Sequence, residues 1–415
     1  MLKLIQLAAR NLLRYQRRTL LTSLLIVIGV TAVLLFMAIS GSFKQLMIGQ
    51  ITDSMLGHLQ IHRRGYVASI ESLPLNLNMA PQVVARVSKE LNQDPAVAAV
   101  SPRIKFGAMF SNFTETTSLR INGIDPAAEA AVLPLLAGRR LEGNKDGALV
   151  VRGELLIPVL VARGLKVSPG DAVVLIATNR DGSVNGKTFK VRGTLESATG
   201  PGGRDGYIHI DDARELLRMT DAEVSEIAVR LKDPQRIQQA NERLQPVLAG
   251  IKNKAGQNAL ELHTWERLSP FSNIAKMIDV LTLAIKIMLI SIVLVSVMNV
   301  MVMAVYERIR EIGAIAAIGT PPGRILGMFL TEGLMLGTAG TFIGVALSLA
   351  AIYALNIWKI TYNFGQQQGL LLSPSLDASD VIATAVIVIV VAGLASLQPA
   401  WKASRMDPIT ALRHV

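Results

Sequence analysis

The sequence predicts an α-helical membrane protein with four transmembrane helices and a large α+β extracytoplasmic domain inserted between the first and second. Three observations carry this. A mean hydropathy of +0.41 with 51% apolar residues is too greasy for an ordinary soluble chain, yet 18% of the residues are charged, too many for a fully embedded bundle. Four uncharged runs, 19–43, 287–306, 333–358 and 381–401, are each long enough to cross a bilayer at about 1.5 Å per residue. Nearly all the charged sequence between crossings falls in one block between the first two runs.

Taken in order, residues 1–18 form a basic segment with Lys3, Arg10, Arg14, Arg17 and Arg18. By the positive-inside rule it is cytoplasmic, and 19–43 reads as the first transmembrane helix. That run is too long, and lacks a small-residue cleavage site, for a removed signal peptide; it reads as a retained anchor. Residues 44–275 are then an extracytoplasmic domain, and 276–306 a stalk and second transmembrane helix. Arg308, Arg310 and Arg324 place a loop at 307–324 in the cytoplasm. The third helix, 325–358, a short outer loop, 359–380, and the fourth helix, 381–401, follow. A tail at 402–415 with Lys402, Arg405 and Arg413 returns to the cytoplasm. The chain is therefore expected as a multi-pass membrane protein with both termini cytoplasmic.

Inside the inserted block, helices are expected over 82–92, 127–136, 211–219 with Asp211 as N-cap, and 235–249. Strands are expected over 58–62, 97–106, 118–123, 172–177, 188–195, 207–210 and 226–231, with Asp181-Gly182 and Asn185-Gly186 as hairpin signals. The formal charge of +11 needs no nucleic-acid partner, because much of the excess orients the apolar helices and no basic patch is interleaved with aromatics.

The chemistry-bearing patterns are few. Absence of cysteine excludes disulfides, Cys-based zinc sites and thiol catalysis. "GSVNGKT" around Lys187 imitates a phosphate loop, but the required first glycine falls on Asp181. His58 and His62 alternate as in a strand, about 13 Å apart, and read as two solvated histidines. No catalytic, cofactor or metal site is expected in this chain.

The informative stretch is "YERIREIGAIAAIG" at 306–319, between two membrane runs. Glu307, Arg308, Arg310 and Glu311 crowd the helix end, with Arg308 and Glu311 able to pair at i,i+3. Ile312, Ile315 and Ile318 recur every third residue among Gly313, Ala314, Ala316, Ala317 and Gly319, a small-residue surface open to close approach. Gly319 with the following prolines stops the helix. A short capped helix on the cytoplasmic side is a docking element for a soluble partner. Elsewhere, Asp279 and Lys286 are candidates for an ion pair or substrate contact. Glu332 is a polar candidate near the inner end of the third crossing.

"ERIREIGAIAAIGTPPGRILGMFLTEG" (307–333) and "PAWKASRMDPITALR" (399–413) resemble the corresponding motifs of FtsX-like and MacB-like ABC transporter permeases. "RNLLRYQRRTLLT" (10–22) and "TWERLSPF" (264–271) are similar to the approaches to their first and second helices, so the resemblance spans the chain. It implies a non-hydrolysing permease subunit whose coupling helix engages a cytoplasmic ABC ATPase dimer, with ATP and Mg bound by that partner. It also implies a second permease chain, identical or paralogous. The coupling residues it assigns are Glu307, Arg308, Arg310, Glu311, Ile312, Gly313, Ile315, Ala316 and Gly319.

"GHLQIHRRGY" (57–66) and the chain length look closest to the lipoprotein-releasing branch. Its members extract acylated proteins from the outer leaflet and pass them to a carrier. Three acyl chains of about 15 methylenes carry roughly 36 kcal/mol of burial, so water is not their route. Phe36, Met37, Phe43, Met47, Ile278, Leu281 and Leu283 are the candidate lining of a lipid-shaped path. Alternatives are MacB-like efflux of amphiphiles or peptides with a periplasmic adaptor, and an FtsX-like signal transducer that controls a cell-wall hydrolase.

Overall fold

The computed structural model describes residues 6, 8, 10, 14, 16–144, 146–196, 201–252, 256–364 and 367–413. Lys3 lies outside the described residues. Two compact units emerge: Met1–Gln45 with Lys276–Tyr362 and Leu371–Val415, and Leu46–Ala275 with Asn363–Leu370.

Among the described residues, four helices are long and apolar enough to span a membrane: Gln16–Ile51, Phe271–Glu307, Pro322–Trp358 and Ala378–Ser404. The third and fourth pack most extensively. In lipid no hydrophobic force joins helices, so close backbone approach must. The third helix supplies it on two sides: a methyl added at Gly333 or Gly337 would overlap Ser396 or Ala392, and one at Gly340 or Gly344 would overlap Ile26 or Val30 of the first helix. Thr31 adds a bond across that second contact, its Oγ1 donating to the Gly344 carbonyl at 3.1 Å.

Among the described residues, 46–275 of the inserted unit contain ten strands: β1 Leu59–Arg63, β2 Val97–Ser111, β3 Thr116–Ile124, β4 Arg140–Gly143, β5 Glu154–Pro158, β6 Ala172–Thr178, β7 Val184–Leu195, β8 Asp205–His209, β9 Glu226–Leu231 and β10 Leu260–Thr264. One part is an antiparallel sheet in the order β10-β1-β9-β2. Helix Pro81–Gln93 joins β1 to β2 and helix Ile237–Ala249 joins β9 to β10, a split βαββαβ arrangement. Ile237, Ala240, Leu244 and Leu248 give the second helix one buried face. The other part grows from β2, whose 15 residues outrun that sheet. Pairing proceeds β2-β3-β8-β5-β7-β6 and returns to β2, closing a six-stranded ring without free edges.

Several local expectations shift. The helix expected over 211–219 is Ile210–Leu216, capped by His209, whose Nδ1 accepts from the Asp211 amide at 3.2 Å; Asp211 sits in the first turn. Only Asp181-Gly182 makes the hairpin turn, with Gly182 at φ +84°. Asn185-Gly186 lies inside β7, opposite Ala177 and Ile176. Lys187 is held by Asp212 at 2.8 Å and by Glu215.

The solvated histidines are a clear correction. His58 is 1% and His62 0% exposed, because β1 is sandwiched between β9 and β10 and side chains four residues apart share one strand face. His58 Nδ1 accepts from the Leu231 amide at 2.9 Å, and His62 Nε2 faces Glu226 Oε2 at 3.4 Å. Among the described residues no group of three or more His, Cys, Asp and Glu side chains is placed to hold a metal.

Candidate functional site

The site is the elbow where the second spanning helix ends at Glu307. Arg308 leaves helical geometry at φ −111°, ψ 18°, and a new helix runs from Ile309 to Ala317. Its end is a paired-bond cap: the Thr320 amide donates to the Ile315 carbonyl at 3.3 Å and the Gly319 amide to the Ala316 carbonyl at 3.0 Å. That geometry needs a left-handed residue after the helix, and Gly319 takes φ +93°. Pro322 then opens the third spanning helix at its first turn, where its missing N–H costs nothing.

Arg308 is 5% and Glu332 2% exposed, and Arg308 Nη1 donates to Glu332 Oε1 at 2.8 Å. The sequence offered Glu311 as the partner of Arg308; the structure supplies a carboxylate 24 residues away on the third spanning helix. Glu311 instead faces Arg14 at 3.6 Å on the exposed surface. Glu332, the polar candidate near the inner end of the third crossing, is buried, and this pairing compensates its burial.

The expected isoleucine stripe divides. Three residues turn a helix through about 300°, so each step drifts by about 60° and such a row does not stay on one face. Ile312 and Gly313 are buried, Ile315 is 37% exposed and Ile318 85% exposed. Ile309 and Ala316 join the inward row at helical spacing, and the short helix packs there against the C-terminal helix Pro408–Arg413. The two motifs at 307–333 and 399–413 thus meet in space. Of the nine coupling candidates, Arg308, Ile312, Gly313 and Ala316 face inward, whereas Glu307, Arg310, Glu311, Ile315 and Gly319 are exposed. The outward face carries Arg310, Glu311, Ala314, Ile315, Ala317 and Ile318, apolar at its centre and charged at one end.

The candidate lipid path holds together less well. Leu281 and Leu283 are 50% and 57% exposed, but Phe36, Phe43 and Ile278 are half-buried. Met37 is buried with its Sδ 4.0 Å from Thr384 Oγ1, and Met47 belongs to the apolar core of the inserted domain. The two methionines are packing residues. Asp279 pairs with Lys44 of the first helix at 2.6 Å. Lys286 is half-buried beside an apolar crevice lined by the first, second and fourth spanning helices, including Val30, Val293 and Ile387. The sequence reading passed over the glycines at 333, 337, 340 and 344, although their G-x-x-x-G spacing within an apolar run was a signal for helix contact.

The model of the MacB-like periplasmic core domain matches residues 19–247, and that of the FtsX-like permease C-terminal region matches 283–408. The chain belongs to the MacB/FtsX-like family of ABC transporter permeases. The inserted domain is that family's periplasmic domain.

Among its relatives is the lipoprotein-releasing system transmembrane protein LolC of Neisseria meningitidis, 23% identical over 94% of this chain and 92% of that one. The ABC transporter permease YknZ of Bacillus subtilis is 25% identical over 100% and 99%. The pyoverdine export ATP-binding/permease protein PvdT of Pseudomonas syringae is 28% identical over 99% of this chain but only 59% of its own length. The crystal structure of the periplasmic region of MacB from Actinobacillus actinomycetemcomitans covers 53% of this chain and 92% of that one at 12% identity, with a TM-score of 0.34.

Proposed function

We propose that this permease works with a cytoplasmic ABC ATPase that docks on the outward face of Ile309–Ala317, and that it drives release of lipidated or similarly amphipathic substrates from the outer leaflet. The observation that carries the docking reading is the pair Ile315 and Ile318, apolar and exposed on a helix whose opposite row is packed against the molecule. A capped helix anchored from behind can transmit a push instead of absorbing it. Arg308 and Glu332 tie its first residue to the third spanning helix, so the push reaches two membrane helices together. ATP and Mg belong to the partner, and both chain termini lie on the partner's side. A second permease chain, the same or paralogous, completes the assembly.

The lipoprotein substrate is supported by the meningococcal LolC match over nearly the full length of both chains. Export of small amphiphiles through a periplasmic adaptor is the second reading, supported by the match to PvdT. Purification from native membranes in mild detergent, followed by mass spectrometry of retained partners, separates them. An ATPase with triacylated proteins is the expected result. An ATPase with an adaptor moves the substrate assignment to efflux, and retention of no ATPase in either nucleotide state overturns the docking reading.

A further inference from the structure

The inserted domain contains an open cleft. It holds about 110 Å³ of accessible space and opens to solvent. Part of its lining is aliphatic or aromatic: Met55, Leu56, Ile70, Leu73, Leu268 and Phe271. The remainder is polar, with Arg103, Lys105, Arg120, Asn122, Glu129 and Asp205.

The charges around it are balanced. Arg103 Nε donates to Glu129 Oε2 at 2.9 Å and its Nη1 to Glu226 Oε1 at 2.9 Å. Lys105 Nζ lies 3.0 Å from Glu226 Oε2, and Arg120 Nε donates to Asp205 Oδ1 at 2.9 Å. Three cations therefore meet three carboxylates, and no net charge calls for an ion. Hydrogen-bonding capacity is what remains. A forked Arg–carboxylate pair would use both Nε and Nη2. Here only Nε is engaged by Glu129, so Arg103 Nη2 and Glu129 Oε1 are both buried without a partner. Their side chains are only 2% and 0% exposed, at the floor of the cleft. A donor and an acceptor left unmet on one ion pair are complemented by a group that both accepts and donates, as a hydroxyl or an amide does.

We propose that this cleft binds an uncharged amphiphile, its acyl chain against Leu56, Ile70, Leu268 and Phe271 and its hydroxyl or amide head between Arg103 Nη2 and Glu129 Oε1. The site is independent of which substrate the membrane helices release. An anionic head would meet the unshielded Glu129 oxygen and a cationic head the Arg103 guanidinium, so neutral heads are selected.

The test uses the full chain in phosphatidylcholine nanodiscs with three photoreactive probes of equal chain length: a monoacylglycerol, an N-acyl ethanolamide and a fatty acid. The first two should label peptides covering 55–73 and 268–271 saturably, and the fatty acid at least tenfold less at neutral pH. Ile70→Trp, at a half-buried wall position, should cut labelling at least tenfold, with Ile70→Leu unaffected. Leu268→Trp gives a second reading should the first variant misfold. Glu129→Gln should weaken labelling by both neutral probes. Equal labelling by all three probes, labelling that does not saturate, or labelling indifferent to the tryptophans overturns the proposal, and absence of labelling shows that the floor holds water only.

Discussion

Each unit of the molecule buries charge, and the two do it differently. In the inserted domain Arg103 is held by Glu129 and Glu226, while Glu226 also faces Lys105 and His62. Burial alone would raise the Glu226 carboxyl, yet Lys105, His62 and Arg103 hold it well below the usual carboxylate range. Partners on β1 and β2 fix that β9 group from different directions, which suits a rigid sheet. At the elbow one short bond joins Arg308 to Glu332 between two helices. A group tied from several sides within one sheet has no alternative arrangement, whereas a pair that spans two helices can carry movement from one to the other.

The largest expected effect breaks the network. Arg103→Leu removes the cation shared by Glu129 and Glu226 and should cost the inserted domain about 5 kcal/mol. Hydrogen exchange of the full chain should show β2 and β9 losing protection; unchanged protection there would refute the network's structural role.

Next comes the elbow. Glu332→Leu removes the carboxylate that Arg308 Nη1 meets at 2.8 Å and should cost about 3 kcal/mol, while Arg308→Met combined with Glu332→Leu should recover most of that stability. The double variant should nevertheless show reduced coupling of ATP hydrolysis to release, since the tie between helices is gone. Coupling at the wild-type level in a stable double variant would mean that the pair is only a packing solution.

Acid separates the units in a further way. Burial pushes His58 and His263 below the ordinary imidazole value, partly opposed by Asp53 and Glu261 respectively. Both are neutral in the folded domain, so the unfolded chain binds more protons once the pH drops below about 6.5. Their stabilisation is present above that pH and lost below it. All described histidines lie in the inserted domain, so acidification from pH 7.5 to 5.5 should loosen that domain before the spanning helices. Simultaneous loosening of both units would contradict this. The smallest effect is expected at Lys44, whose pair with the 59% exposed Asp279 side chain is screened by solvent. Lys44→Ala should change thermal stability by less than about 1 kcal/mol.

This contrast also explains what the sequence made legible. The spanning helices announce themselves as long apolar runs, and β9, Glu226–Leu231, as a short β-rich segment with clear ends. β4 has only four residues, β5 is a brief apolar run ending in proline, and β10 alternates over only five residues. None announces itself locally, because each is completed by partners distant in sequence. The same holds for charge. Arg308 and Glu332 are each conspicuous alone, and helical spacing suggests only the nearby Glu311. His62 reads as solvated because Glu226, 164 residues away, is invisible to a local pattern. The coupling helix was legible as an element, but its inward and outward faces required the turn-by-turn rotation that a row of every third residue conceals.

The central claim is that the outward face of Ile309–Ala317 receives the ATPase while the inward face is packed within the permease. A photocrosslinking amino acid placed at Ile318 and, separately, at Ile312 in native membranes tests it directly. The account predicts an ATPase adduct from position 318 and none from 312. An adduct from 312, or none from 318 in an assembly that retains its ATPase, would contradict it.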